Sequence, residues 1–164
     1  MKRTAFGLTT LFFILVFSFT SCKQDRYLDW KYMNVQWFNK QKELKKESSD
    51  ENYWQRTESG LLYRVLNEGI GTAKPSNKSV VVVSYQEVFM NEKVNSDVTP
   101  STATLSYLSA GLQEGIKMMK LNAIYEFCLP YELAYGEDGT SSVPPYTTLI
   151  YHRVELHDFY TQSN

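Results

Sequence analysis

A chain of 164 residues, 43% hydrophobic and 21% charged, has room for one globular domain and a tail. Its formal net charge of −1 gives no long-range attraction to phosphate backbones, and no nucleic-acid-reading motif occurs, so nucleic acid is not an expected partner. Twelve Tyr, nine Phe and three Trp make an aromatic-lined, β-rich domain the expectation.

Met1 to Ser21 begins with Lys2 and Arg3, runs mostly apolar to Phe19 and contains no acidic residue. That is the pattern of a secretory signal: the run falls short of the roughly 20 apolar residues a comfortable span needs, and it ends in small or hydroxylated residues. Cys22 follows in the context Phe19-Thr20-Ser21-Cys22, which resembles the bacterial lipobox. The resemblance implies cleavage before Cys22 and a lipid on it, with Phe19 a variant that looks like those of Bacteroidetes-like lipoproteins. The alternative is a plain signal peptide followed by an ordinary cysteine. With Cys22 lipidated, only Cys128 is left and no internal disulfide can form. Lys23 and Gln24 lack the aspartate that marks inner-membrane retention in some bacteria, which leans toward an outer-membrane location in the bacterial cell envelope.

From Lys23 to about Arg56 the chain is charged and punctuated by aromatic residues. Met33, Trp37 and Leu44 fall at i, i+4 and i+11, which predicts an amphipathic helix near 30–47 with Asp29 as its cap. Such a helix either folds back on its own domain or spaces it from the anchor, or else serves as an arm through which a homodimer or another partner is held. Residues 45–52, KKESSDEN, have no apolar side chain and read as a hinge.

From Thr57 the texture changes. LLYRVL at 61–66 and SVVVVSYQEVFM at 79–90 read as strands, separated by a loop rich in Gly, Pro and Asn. In AGLQEGIKMMK, residues 110–120, Leu112, Ile116 and Met119 recur at i, i+4 and i+7, with Lys117 and Lys120 suited to a helix carboxyl end. NAIYEFCLP and TTLIYHRVELHDF read as two further strands. This order predicts an α+β domain, a mainly antiparallel sheet wrapped on one short helix and preceded by the amino-terminal helical segment.

Other chemistries find little support. His152 and His157 are the only histidines, and in a continuous strand they point to opposite faces, which argues against a shared metal site with Glu155. No G-x-S-x-G, phosphate loop or C-x-x-C occurs. Cys128 reads as a small packing residue, and Glu137 and Asp138 beside Gly139 as a solvated turn.

Five motifs stand in order between Thr57 and Leu156: TESGLLYRVLNEGIGTAKP, VVVSY, GLQEGIKMMKLN, LPYELAYG and VPPYTTLIYHRVEL. Together they resemble the FKBP family of peptidyl-prolyl cis-trans isomerases. The resemblance implies an FKBP-like fold, proline-containing polypeptides as substrates, and no cofactor or metal. It divides the chain into a signal at 1–21, an anchored linker at 22–56 and the FKBP-like domain at 57–164.

By the same resemblance Tyr85 is a pocket wall, Tyr151 stands where a wall phenylalanine is usual, and Val143 where an isoleucine precedes two prolines. Tyr135 would donate its hydroxyl to a substrate carbonyl, and the backbone at Leu108 and Ser109 would bind another. Leu112 aligns with the tryptophan floor of the best-known members, a replacement compatible with weaker catalysis. The usual Phe-Asp pair aligns with Val94-Asn95 or with Asn95-Ser96, and Asp97 replaces the missing aspartate only if the register slips. Pro144 and Pro145 lock the backbone, present no amide donors and shape the pocket rim. Two functions of different class follow: an isomerase acting on exported proteins, or a binding or chaperone-like lipoprotein that keeps the bowl without turnover.

Overall fold

The computed structural model describes residues 26–44 and 53–161. The signal segment, Cys22 and the hinge at 45–52 lie outside the described residues. Helix α1 spans Leu28–Glu43, strands β1 to β4 span Gln55–Arg56, Leu62–Asn67, Ser79–Phe89 and Val94–Thr104, helix α2 spans Ala110–Met118, and β5 and β6 span Ile124–Leu129 and Leu149–Thr161. The strands form one antiparallel sheet in the order β1-β2-β5-β6-β3-β4.

Strand β4 is an addition to the expected elements, since its polar residues read as a connection. It is an edge strand paired only to β3, from Val80 opposite Thr104 to Val88 opposite Val94. An edge needs no apolar alternation, and only there is a proline such as Pro100 tolerated within a strand. The long strand β6 is not continuous: opposite β3 it skips from Glu155 to His152 and from Asp158 to Leu156, and Arg153 takes a left-handed φ of 48°. These bulges, rather than simple alternation, decide where His152 and His157 point. His152 Nδ1 lies 2.9 Å from Glu126 Oε1, while His157 Nε2 lies 2.8 Å from Ser84 Oγ, so the two histidines have separate partners.

The sheet has two covered faces. Val81, Val83, Phe89, Tyr125, Phe127, Leu129, Leu149, Tyr151, Val154 and Leu156 pack with Leu112, Ile116 and Met119 of α2 and the segment after it. Leu62, Val88, Cys128 and Ile150 point the other way, against Phe38 of α1 and Trp54. Neighbours such as Phe127 and Cys128, or Ile150 and Tyr151, divide between the two faces as strand alternation requires. Burial of Phe38 alone stabilises the docking of α1 by about 1.5–3 kcal/mol.

The helix expected near 30–47 runs from Leu28 to Glu43, and a different stripe is buried. Asn34 and Phe38 face inward with Trp30 beside them, whereas Met33 and Leu44 are exposed and only Trp37 of the expected stripe packs on the sheet. The displacement has a physical reason: Asn34, a polar residue that periodicity discards, is wholly buried because both ends of its amide are bonded. Asp29 lies in the first turn rather than at the cap, a position now held by Tyr27 with no side-chain bond. An acid there still suits the positive end of the helix.

Candidate active site

The candidate site lies where the amino end of α2 meets β3 and β6. Ser109 is the residue preceding α2, and Leu108 ends the short turn Leu105–Tyr107 that leads into it. The amides of the first helical turn have no acceptor within the helix, so this corner offers donors to a carbonyl. Two glycines set how closely α2 approaches the sheet. A Cβ on Gly115 would stand 2.6 Å from the Phe127 ring, and one on Gly111 2.6 Å from Leu129 Cγ. Their bare faces bring the helix onto β5, and Leu112, on the same helix, is driven into the core at 2% exposure.

The expected residues come together. Leu112, Val143 and Tyr151 belong to one buried cluster, and Tyr85 and Leu108 pack against it from the edge. The rings of Tyr85 and Tyr151 meet edge to face, with centroids 5.3 Å apart and planes at 72°. This geometry sets the positive ring edge against the negative face. Tyr135 stands on the rim at 39% exposure, just past the turn Tyr131–Leu133.

Glu87 is the group that motif comparison passes over. It is 4% exposed, lies two residues along β3 from Tyr85, and accepts a hydrogen bond of 2.5 Å from Asn95 Nδ2. Burial, and next the negative charge of Glu87, push the hydroxyls of Tyr85, Tyr135 and Tyr151 above the usual phenol range. The proximity of Glu87 favours the neutral, protonated form of the Tyr151 phenol. Ser109 Oγ tends to favour the ionised phenol of Tyr151, yet it falls outside good hydrogen-bond geometry and is buried without a partner. The period-two run Tyr85, Glu87, Phe89 carried the signal, because it places Glu87 on the inward face of its strand.

The register also fixes the doubtful stretch. Asp97 lies opposite Gln86 and Ser96 opposite Glu87, so Asp97 belongs to the face turned away from Glu87. There it lines a groove of about 370 Å³ with Gln86, His152 and Arg153, which shares only Tyr85 with the candidate site. The carboxylate inside the site is therefore Glu87, and Asn95 is its partner. A second groove of about 390 Å³ lies between α1 and the turn at Tyr131–Leu133, apart from these residues.

Residues 106–157 match the family model described as FKBP-type peptidyl-prolyl cis-trans isomerase. The chain carries an FKBP-type domain. The FKBP-type isomerase FkpA of Aeromonas hydrophila is 38% identical over 104 residues, which make up 61% of this chain and 38% of that protein. The FKBP-type 22 kDa isomerase of Escherichia coli is 37% identical over 105 residues, 61% of this chain and 50% of its own length. The chain thus spans half or less of these curated relatives. The crystal structure of FkpA from Escherichia coli superposes with a TM-score of 0.75 at 25% identity, covering 98% of this chain and 74% of that one. The matched residues include Leu108, Ser109, Leu112, Tyr135, Val143 and Tyr151, whereas Tyr85 and Glu87 of the candidate site precede them.

Among the described residues no helix is long and apolar enough to cross a membrane, and no group of three or more metal-ligating side chains is gathered.

Proposed function

We propose that this chain is a peptidyl-prolyl cis-trans isomerase that accelerates X-Pro rotation in exported proteins. The observation that carries the reading is the packed set Tyr85, Leu112, Val143 and Tyr151 under the half-exposed Tyr135. Rotation about X-Pro breaks no covalent bond; it must lose amide resonance against a barrier of roughly 18–20 kcal/mol and takes about 10–100 s unaided. A catalyst needs an apolar, water-poor surface for the proline ring and donors for the carbonyls of the twisted amide. Tyr85, Tyr151 and Val143 supply the first, with Leu112 beneath them. The Tyr135 hydroxyl and the amide corner from Ser109 into α2 supply the second, the Leu108 amide being bonded to Leu105 O. The test is cis-to-trans relaxation of short X-Pro peptides with protein starting at residue 23, beside Tyr135→Phe and Leu112→Ala. Relaxation that stays at the uncatalysed rate for every X, in protein shown to be folded, would remove the reading.

A second reading, a binding or chaperone-like module without turnover, is favoured by one observation: a carboxylate, Glu87, stands inside a site that has to strip water from a neutral proline ring. Binding of X-Pro peptides without acceleration would select it.

We further propose that Cys22 carries a lipid that anchors the chain to the bacterial envelope, on the outer membrane, in the manner of Bacteroidetes-like lipoproteins. Residues 57–164 form the catalytic unit and residues 22–56 its anchored lead-in. Mass spectrometry of the membrane fraction should find the lipid on the Cys22 peptide, and an unmodified cysteine there would overturn the anchor. Leu28, Tyr32 and Met33 on the outer side of α1 are exposed and are the surface through which a homodimer would form. Sedimentation tests it, because a Tyr32→Glu variant should be less associated than the parent.

A further inference from the structure

The segment that carries Val143, Pro144 and Pro145 to the rim is unusual in how it is held. Within it, Thr140 N donates to Val143 O at 2.7 Å and Val143 N donates to Thr140 Oγ1 at 3.0 Å. At its far end Tyr146 has a φ of 59°, a left-handed conformation in which a bulky side chain is rare and which persists only where the surroundings over-determine it. Much of those surroundings comes from α1, more than a hundred residues away in the chain. Trp30 Nε1 donates to Thr147 Oγ1 at 2.8 Å, and Thr147 Oγ1 donates in turn to Pro144 O at 2.6 Å. Thr148 N donates to Asn34 Oδ1 at 2.9 Å, and Asn34 Nδ2 returns a bond to Trp30 O at 2.8 Å. Lys31 Nζ stands 4.1 Å above the Tyr146 ring and 3.7 Å from Glu137 on the other arm of the segment. Tyr131 packs edge to face on the same Tyr146 ring at 5.4 Å.

We propose that α1 is a positioning element of the candidate site: Trp30, Lys31 and Asn34 clamp residues 137–148 and thereby set where Val143 and the two prolines stand. Three contacts of different kinds converge on one strained segment from a single helix face. Trp30 is itself steadied by an edge-to-face contact of 6.5 Å with Phe89 of β3, so the clamp is referenced to the sheet. Beside the packing of Val143 in the buried cluster, the two ends of the segment are joined to each other by the backbone bond from Tyr146 N to Gly136 O at 3.0 Å, and α1 supplies the side-chain bonds that hold its far arm. The consequence for catalysis rests on the isomerase reading, whereas the consequence for the segment does not. Val143 would touch the proline ring before and during rotation, so loosening the clamp should weaken binding of both states and appear in KM more than in kcat.

The test uses the full chain and its Thr147→Val, Thr147→Ser and Trp30→Phe variants. Amide hydrogen exchange is read at Thr140, Val143 and Tyr146 and compared with β3, β5 and β6. Thr147→Val cuts both bonds of the relay and should speed exchange at the three segment amides about five- to tenfold, the range that loss of a buried bond implies. The sheet amides should not change, and Thr147→Ser, which keeps the hydroxyl, should return the segment to the parent rate. Trp30→Phe keeps the packing on Phe89 but removes the donor and should give a smaller effect of the same pattern; it decides the matter if Thr147→Val fails to fold. In parallel, KM for an X-Pro peptide should rise about three- to tenfold in Thr147→Val with kcat within about twofold. Segment amides unchanged in both variants, or all amides sped equally, would overturn the proposal, the second result marking a merely structural bond. A parent that turns over no peptide would remove the isomerase reading alone, with the exchange pattern still deciding whether α1 holds the segment.

Discussion

Two glycines of the rim offer a sharp test, because they share a conformation and differ only in the space around them. Gly136 has φ +66° with nothing within 4 Å of a Cβ built on it, and Gly139 has φ +65° with such a Cβ 2.3 Å from Val143 O and 2.7 Å from both Pro144 C and Pro145 N. Gly136→Ala should therefore cost only the left-handed conformation of an L residue, about 1–2 kcal/mol. Gly139→Ala carries the same cost and must also push backbone away by roughly 1 Å to reach ordinary contact. That movement would open the Thr140 to Val143 bond of 2.7 Å, and strain of this kind adds about 1–3 kcal/mol. The total is about 2–5 kcal/mol, against about 1–2 for its neighbour. Urea unfolding should show both midpoints lowered with similar slopes, Gly139→Ala by the larger amount. Because Val143 is displaced as well, the proposed isomerase activity should fall further in Gly139→Ala than stability explains at temperatures where the protein is folded. Losses equal to within about 0.5 kcal/mol, the usual error of such comparisons, would refute the close packing of the rim.

Glu87→Gln removes a buried charge and keeps the shape, so the phenols of Tyr85, Tyr135 and Tyr151 should titrate lower than in the parent while burial keeps them above the ordinary range; nuclear magnetic resonance of ring-labelled tyrosine would follow each one. The Glu126 and His152 pair should make stability depend on pH. The hydrogen bond to His152 lowers Glu126, whose contribution is present above its unfolded value of about 4.5 and is lost as pH falls through the lowered one; the bond to Glu126 raises His152, whose contribution is present below about 6.5 and is lost as pH rises through the raised one. The pair thus contributes most between about pH 4.5 and 6.5, and denaturation of His152→Gln across pH should lose that maximum. Cys128 is wholly buried and burial pushes its thiol far up, so a thiol reagent should label it only as fast as the protein unfolds, and prompt labelling of native protein would contradict the fold around β5.

How much of this was legible in the chain depends on whether the signal was local. The strand runs at 61–66 and 79–90, the Leu112, Ile116, Met119 stripe and the five ordered motifs each state their element within a few residues, because apolar periodicity and turn chemistry act over that distance. Motif order singled out Tyr85, Leu112, Tyr135, Val143 and Tyr151, and the fold packs Leu112, Val143 and Tyr151 in one buried cluster with Tyr85 against it. Strand β4 was not legible, since an edge strand is held by β3 and leaves no apolar period of its own. The face of α1 was misread for a related reason: Asn34 is inside because Thr148, 114 residues away, supplies a donor for it, and no local rule ranks a buried amide above an exposed methionine.

The sequence by itself determined the α+β class, the strands and helix that build the core, and the residue types that face the candidate site. Only the tertiary structure decided that Glu87 rather than Asp97 is the carboxylate within the site, that bulges in β6 send His152 to Glu126 and His157 to Ser84, and that α1 closes over the segment bearing Pro144 and Pro145. The physical reason is shared. Strand and helix periods are written in neighbouring residues, whereas register, bulges and buried polar partners are settled by which distant groups can satisfy one another once water is excluded.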